Sequence, residues 1–146
     1  MSAVAGSVAV AALLVIGAFH VLWVRSSWPF ATRQEFGRNL VGRPDGDLPT
    51  TFARQSLGVA ALLVAAAFLV AAKADLVPGG IPVGLITVGA WGVAAVLSVR
   101  GIAGLVQSGL ELGEVPARYR HLDLRVYSPL CLALATLIVV VVVTAD

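Results

Sequence analysis

His20 is the first candidate for chemistry in this sequence, because it is an ionisable side chain inside an uncharged apolar run. Such a group is costly in hydrocarbon unless it faces a partner or water, so a functional role is the default expectation. Trp23 follows three residues later, on the same helical face. The alternative is a neutral histidine bonded to the backbone of a neighbouring helix, with Trp23 as an interfacial anchor. His20 is therefore a candidate catalytic residue, and His20 and Trp23 are candidate ligand-binding residues.

Eight further polar residues flank apolar runs and are expected at the same end of the molecule as His20. They are Arg54, Gln55, Ser98, Arg100, Asp123, Arg125, Tyr127 and Ser128. In a catalytic site Asp123 would orient His20, and an arginine would hold an anionic group. Arg54, Arg100, Arg125 and Tyr127 are accordingly candidate ligand-binding residues. The alternative is that these residues flank spans, as polar residues do in most membrane proteins, without forming a site.

Several familiar chemistries are excluded or disfavoured by composition. Cys131 is the only cysteine, so an internal disulfide or a CxxC redox pair is impossible. The sequence has no HExxH motif and no phosphate-binding glycine loop, and its two histidines are far apart, so we expect no metal and no cofactor. No Asp or Glu lies within an apolar run, which disfavours a self-contained proton-coupled antiporter.

The elements that must position these residues are four long apolar runs. The 146-residue chain is 59% hydrophobic and only 12% charged, which is too little polar surface for a soluble domain. A crossing needs about 20 mostly apolar residues, and the runs predict spans over about residues 3–24, 54–72, 81–104 and 127–145. Because strands in lipid leave backbone groups unpaired, even the valine-rich last run favours a helix. We predict an all-α fold, a transmembrane four-helix up-and-down bundle, forming a single membrane domain over residues 1–146.

Two local patterns refine the connections between spans. Thr32 to Leu40 is compatible with a short interfacial helix that presents Phe36 and Leu40 on one side. Ser128 and Pro129 suit the start of the fourth helix, with serine as N-cap and proline in the first turn.

Arginine is distributed very unevenly between the connections. The first connection and its borders carry five arginines, the third carries four, and the second has only Lys73. Basic loops face the cytoplasm, so a plasma-membrane protein is expected with loops 25–53 and 105–126 cytoplasmic and both termini outside. The expected partner is the lipid bilayer, together with a second copy of the chain or a larger membrane complex, and the charge pattern gives no reason to expect nucleic acid.

Specific short segments resemble those of a known family. They are Ala18 to Trp23 with its His-x-x-Trp spacing, Trp28-Pro29, Leu48-Pro49, and Asp123 to Cys131 with its Tyr-Ser-Pro-Leu-Cys sequence. Together they resemble a family of small four-helix bacterial membrane proteins known only as a domain of unknown function. The resemblance implies four spans and an inner-membrane location, and it implies no reaction.

Three functions are compatible with the sequence. The first is a non-enzymatic membrane module, either a small-ligand or lipid-binding bundle or an accessory subunit, with a polar cluster at the arginine-rich end. The second is a membrane-embedded enzyme that uses His20 on a lipid-soluble substrate. The third is a small transporter assembled from several copies. The lack of a recognisable catalytic set favours the first.

Overall fold

A computed structural model describes residues 2–78 and 80–145 of the protein, and it is helical throughout its regular elements. Four of its helices are long and apolar enough to cross a membrane, which confirms the predicted all-α fold. The helices are α1 (Ser2–Trp23), α2 (Arg33–Phe36), α3 (Phe52–Lys73), α4 (Val83–Gly109), α5 (Ala117–Leu122) and α6 (Ser128–Thr144), with π-helical turns at Gly37–Val41 and Asp123–Tyr127.

The four long helices form a ring in which each packs against its neighbours in sequence, and α6 closes the ring against α1. The end of α1 meets the start of α3, where the Ser56 hydroxyl donates a hydrogen bond to the His20 carbonyl at 2.8 Å. At the opposite end, Lys73, the last residue of α3, donates a hydrogen bond to the carbonyl of Ala145, the residue after α6, at 2.7 Å. Consecutive helices therefore run antiparallel, as in an up-and-down bundle.

Small side chains line the interior of this ring. Ala9, Ala90 and Ala94 are almost fully buried, together with larger residues such as Leu13 and Ile138. Small residues allow helix backbones to approach closely, which is the main source of packing energy when lipid replaces water outside the bundle. Large apolar side chains point outward instead: Val88 of α4 has 69% of its surface exposed.

The last two long helices extend beyond the spans predicted from sequence. α4 continues past residue 104 to Gly109, and the helical path of α6 starts upstream at Ala117. Ser128 caps no backbone N–H, and the expected helix start at Ser128 and Pro129 lies inside a continuous helical path. The third connection is therefore short, and Asp123 belongs to a helix of the bundle and not to a loop.

The first connection is folded onto the end of the bundle. Thr32 accepts a hydrogen bond from the Glu35 amide at 3.1 Å, which starts the predicted short helix. Phe36 from this helix is fully buried and contacts Trp23 and Phe52 with ring centroids 5.8 and 5.7 Å away. This aromatic cluster ties the connection to the ends of α1 and α3.

Because the core depends on small residues, enlarging one of them should destabilise the bundle. We expect Ala90→Leu, at a fully buried position, to lower the free energy of unfolding by about 1–3 kcal/mol through overpacking. Ala95→Leu is the matched control, since Ala95 lies on the exposed side of the same helix. Thermal unfolding in detergent, followed by circular dichroism, measures both; equal melting temperatures for the two variants would contradict this packing.

Candidate functional site

A buried carboxylate is the centre of the strongest polar arrangement in the bundle. Only 1% of the surface of Asp123 is exposed to solvent. Both of its carboxylate oxygens accept hydrogen bonds from other side chains instead of water. Oδ1 accepts hydrogen bonds from Arg100 Nη2 and Ser128 Oγ, each at 3.0 Å, and Oδ2 accepts one from Ser108 Oγ at 2.6 Å. We call Arg100, Ser108, Asp123 and Ser128 the polar cluster. It joins α4 to the helix that runs from Ala117 to Thr144.

One face of α4 supplies half of this cluster. Arg100, Gly104 and Ser108 are spaced four residues apart, so they lie one above another along that face. Gly104 leaves room for the carboxylate: a Cβ there would overlap with Ser128 Oγ and Arg100 Nη1 and lie 2.9 Å from Asp123 Oδ2. The missing side chain of Gly104 thus provides the space that the side chains of the polar cluster occupy.

A π-helical turn supplies the other half. The Ser128 amide donates to the Asp123 carbonyl, five residues back, which is the hydrogen-bond spacing of a π-helix. Pro129, the next residue, has no N–H and its ring disfavours an ordinary helical turn before it. The wider turn accommodates this proline within the helix and brings the side chains of Asp123 and Ser128 into hydrogen-bond contact.

The chemistry available at the cluster follows from its donors and acceptors. Asp123 accepts three hydrogen bonds and is buried, so it does not face a substrate as a free base. Arg100 is the solvent-accessible member of the cluster, with 42% of its side chain exposed. It donates two hydrogen bonds to the protein, one to Asp123 and a long one of 3.5 Å to Ser128, so other N–H donors of the guanidinium remain free. The cluster presents positive hydrogen-bond donors outward.

His20 lies at the same end of the bundle but in a different setting. Its Nδ1 is 2.9 Å from the Ile16 carbonyl of its own helix, and its ring centroid is 5.2 Å from that of Trp23. Within the described residues, no hydrogen bond joins His20 to Asp123, so the structure does not bring together the pair that the enzyme hypothesis needs.

Of the other residues expected at this end, the structure brings Arg100 and Asp123 together, and Ser128 with them. Arg54 and Arg125 are exposed and form no ion pair with the described part of the chain. Tyr127 packs beside Tyr119, with ring centroids 6.0 Å apart. Trp23 stacks on Phe19 and belongs to the aromatic cluster.

Sequence reasoning missed Ser108. This residue falls in the predicted third connection, where a serine carries no special signal. The four-residue spacing from Arg100 through Gly104 to Ser108 was the available sign that one helical face continues beyond the predicted span.

No group of three or more His, Cys, Asp or Glu side chains that could hold a metal ion occurs in residues 2–78 and 80–145. Arg100 is the residue of the cluster suited to an anion, since guanidinium matches phosphate and carboxylate oxygens in geometry and charge.

Comparison with known proteins identifies the family of the chain. Residues 3–138 match the family model described as protein of unknown function (DUF3995), and the chain therefore belongs to that family. No curated protein matches the chain, and no solved structure does. The family resemblance inferred from the sequence is confirmed, and it brings no reaction or ligand with it.

The need for glycine at position 104 is directly testable. We expect Gly104→Ala to lower the free energy of unfolding by about 1–3 kcal/mol, because the new methyl group forces apart hydrogen bonds of a buried carboxylate. Gly92→Ala is the control: a Cβ at Gly92 of the same helix meets no atom within 4 Å, and alanine is the better helix former by about 0.5–1 kcal/mol. Chemical denaturation in mixed micelles should thus shift in opposite directions for the two variants; a Gly104→Ala protein as stable as Gly92→Ala would refute the crowding.

Proposed function

We propose that this member of the DUF3995 family is a non-enzymatic membrane module that retains anionic phospholipids around its arginine-rich end. The arginine-rich end is the end of the bundle formed by the first connection (residues 24–51), the start of α3, the last turns of α4, and the third connection with α5 and the π-helical turn at Asp123–Tyr127. The observation that carries the proposal is the exposure of arginine there: all nine arginines of the chain belong to this end, and eight of them are exposed.

The charge of this end is not balanced by its acidic residues. Nine arginines face six acidic side chains there, which leaves an excess of three positive charges, whereas the opposite connection carries Lys73 and Asp75. Each basic side chain near a membrane surface contributes about 1 kcal/mol of attraction to anionic lipid. The net positive charge of the arginine-rich end therefore favours binding of anionic head groups over zwitterionic ones.

Helix length supports contact between this rim and the head groups. α4 has 27 residues, which corresponds to about 40 Å at 1.5 Å per residue. The hydrocarbon layer is roughly 30 Å thick, so a turn or more of α4 extends into the head-group layer. The surplus falls at the arginine-rich end if α4 enters the hydrocarbon near Val83, its first residue.

The surroundings of His20 favour this function over an enzyme. The enzyme hypothesis requires Asp123 to bind His20 and orient its ring. The Nδ1 of His20 lies instead beside the Ile16 carbonyl, and Asp123 accepts hydrogen bonds from three donors of the polar cluster. Both expected members of a catalytic pair thus have other bonds.

Lipid selectivity tests the proposal. The protein is reconstituted in nanodiscs of equimolar phosphatidylglycerol and phosphatidylcholine, extracted in mild detergent, and its bound lipids are counted by native mass spectrometry. We expect bound phosphatidylglycerol to exceed phosphatidylcholine roughly two- to fivefold, from the attraction of the exposed arginines. Arg54→Gln combined with Arg125→Gln should reduce this excess, and Lys73→Gln, at the other end, should leave it unchanged. Equal amounts of the two lipids on the wild-type protein would remove the proposal.

The same proposal assigns the arginine-rich end to the cytoplasmic side, by the bias of basic loops. In a Cys131→Ser background, single cysteines are introduced as Asp47→Cys, Ala117→Cys and Asp75→Cys, all at exposed positions. A membrane-impermeant thiol reagent added to intact cells should label only Asp75→Cys, and permeabilised cells should label all three. Labelling of positions 47 and 117 but not 75 in intact cells would show the opposite orientation. Labelling of only one of positions 47 and 117 would contradict the bundle topology.

A further inference from the structure

With the hydrocarbon taken to begin at Val83, the Arg100 guanidinium lies at the height at which lipid phosphates begin. Counting from Val83, Arg100 is about 25 Å along α4 at 1.5 Å per residue. Its Nη1 reaches the level of Gly104, one turn closer to the arginine-rich end. That level is roughly 30 Å from the start of the helix, which is the full thickness of the hydrocarbon layer. Long basic side chains extend in this way to place their charge at the interface.

The guanidinium is also fixed in orientation, unlike that of a surface arginine. Asp123 binds its Nη2 at 3.0 Å, and Asp123 itself is held by Ser108 and Ser128 in a fully buried position. A group whose orientation is already fixed loses little entropy on binding. The exposed part of Arg100 is therefore a preorganised donor of hydrogen bonds.

Tyr119 supplies a second donor at the same end of α4. It belongs to α5, which contacts α4, and no protein group among residues 2–78 and 80–145 accepts a hydrogen bond from its hydroxyl. The ring is held in place by Tyr127 on one side and by the backbone at Gly42, where a Cβ would lie 3.1 Å from the ring. An arginine fork beside a tyrosine hydroxyl is suited to the oxygens of a phosphate.

We propose that Arg100 and Tyr119 bind the phosphate of one phospholipid where α4 packs against the helix from Ala117 to Thr144. This inference rests on the proposed function and adds one defined lipid site to it. A contact with the phosphate does not depend on the net charge of the head group. The exposed arginines of the rim distinguish anionic from zwitterionic lipid, whereas the Arg100 site recognises the phosphate that both carry. The acyl chains of this lipid would lie along the apolar outer face of α4, where Val96 and Val99 are exposed.

The test compares three lipids that share acyl chains: phosphatidylglycerol, phosphatidylcholine and diacylglycerol, which lacks phosphate. Each is titrated into the purified full chain in micelles, and the first binding event is measured by native mass spectrometry. Arg100→Gln should weaken both phospholipids about tenfold, the effect of losing a charge-assisted hydrogen bond, and leave diacylglycerol unchanged. Tyr119→Phe should give a smaller loss with the same pattern.

Arg125→Gln is the matched control, since Arg125 is an exposed arginine of the same end that is outside the polar cluster. It should weaken phosphatidylglycerol alone. Because Arg100→Gln leaves a buried carboxylate without its cation, the double variant Arg100→Gln/Asp123→Asn is measured beside it, and circular dichroism checks that both remain helical. Tyr119→Phe keeps every member of the polar cluster and so tests the site even if both of those variants unfold.

The outcomes separate the two proposals. If the wild-type protein shows no preference for phosphatidylglycerol over phosphatidylcholine, the proposed function fails. If that preference exists but Arg100→Gln and Tyr119→Phe bind phosphatidylcholine as well as the wild type does, the phosphate site is overturned and the proposed function stands. Binding of inorganic phosphate that depends on Arg100 and displaces phosphatidylcholine would instead assign the site to a free anion, and the lipid would be the wrong ligand.

Discussion

Burial of the Asp123 carboxylate is the constraint on which the arrangement of α4 and α6 depends. A charged group removed from water is tolerated only if nearby groups replace its hydration, and here two hydroxyls and one guanidinium do so. Those donors reach the carboxylate in only one axial register of the two helices. A slip by one turn would separate Ser108 from Asp123 and leave the carboxylate with an unpaired oxygen. The polar cluster thus specifies the register of this helix pair.

The rest of the bundle has little else that could specify register. Helix association in lipid draws on close packing and polar contacts, since the lipid chains are as apolar as the side chains they replace. Alanines such as Ala90 and Ala94 permit close approach, but similar residues at neighbouring turns would permit it nearly as well. The α1–α3 pair has its own polar marker in the bond from Ser56 to the His20 carbonyl. Packing brings the helices together, and a few polar contacts determine their register.

The sequence predicts the four helices well because run length and the lack of charge are averaged over about 20 residues each. It fails at the boundary of the last helix. The charges of Asp123 and Arg125 predict a loop there, although the ion pair with Arg100 makes the charge of Asp123 compatible with burial in the bundle. Arg100 and Asp123 were both identified as candidates, but they are distant in sequence, and nothing in their types says that they pair. Ser108 is ordinary until the helix reaching it is known.

The π-helical turn determines both the path of the last helix and the geometry of the polar cluster. In an ordinary α-helix, two side chains five residues apart are separated by about 140° around the axis, at 3.6 residues per turn. Asp123 and Ser128 would then face different neighbours. Pro129 disfavours that ordinary turn, because its ring and its missing N–H conflict with the preceding carbonyls, and the wider turn that accommodates it brings Asp123 and Ser128 together. A proline that seemed to mark the start of a helix thereby aligns the carboxylate that holds Arg100.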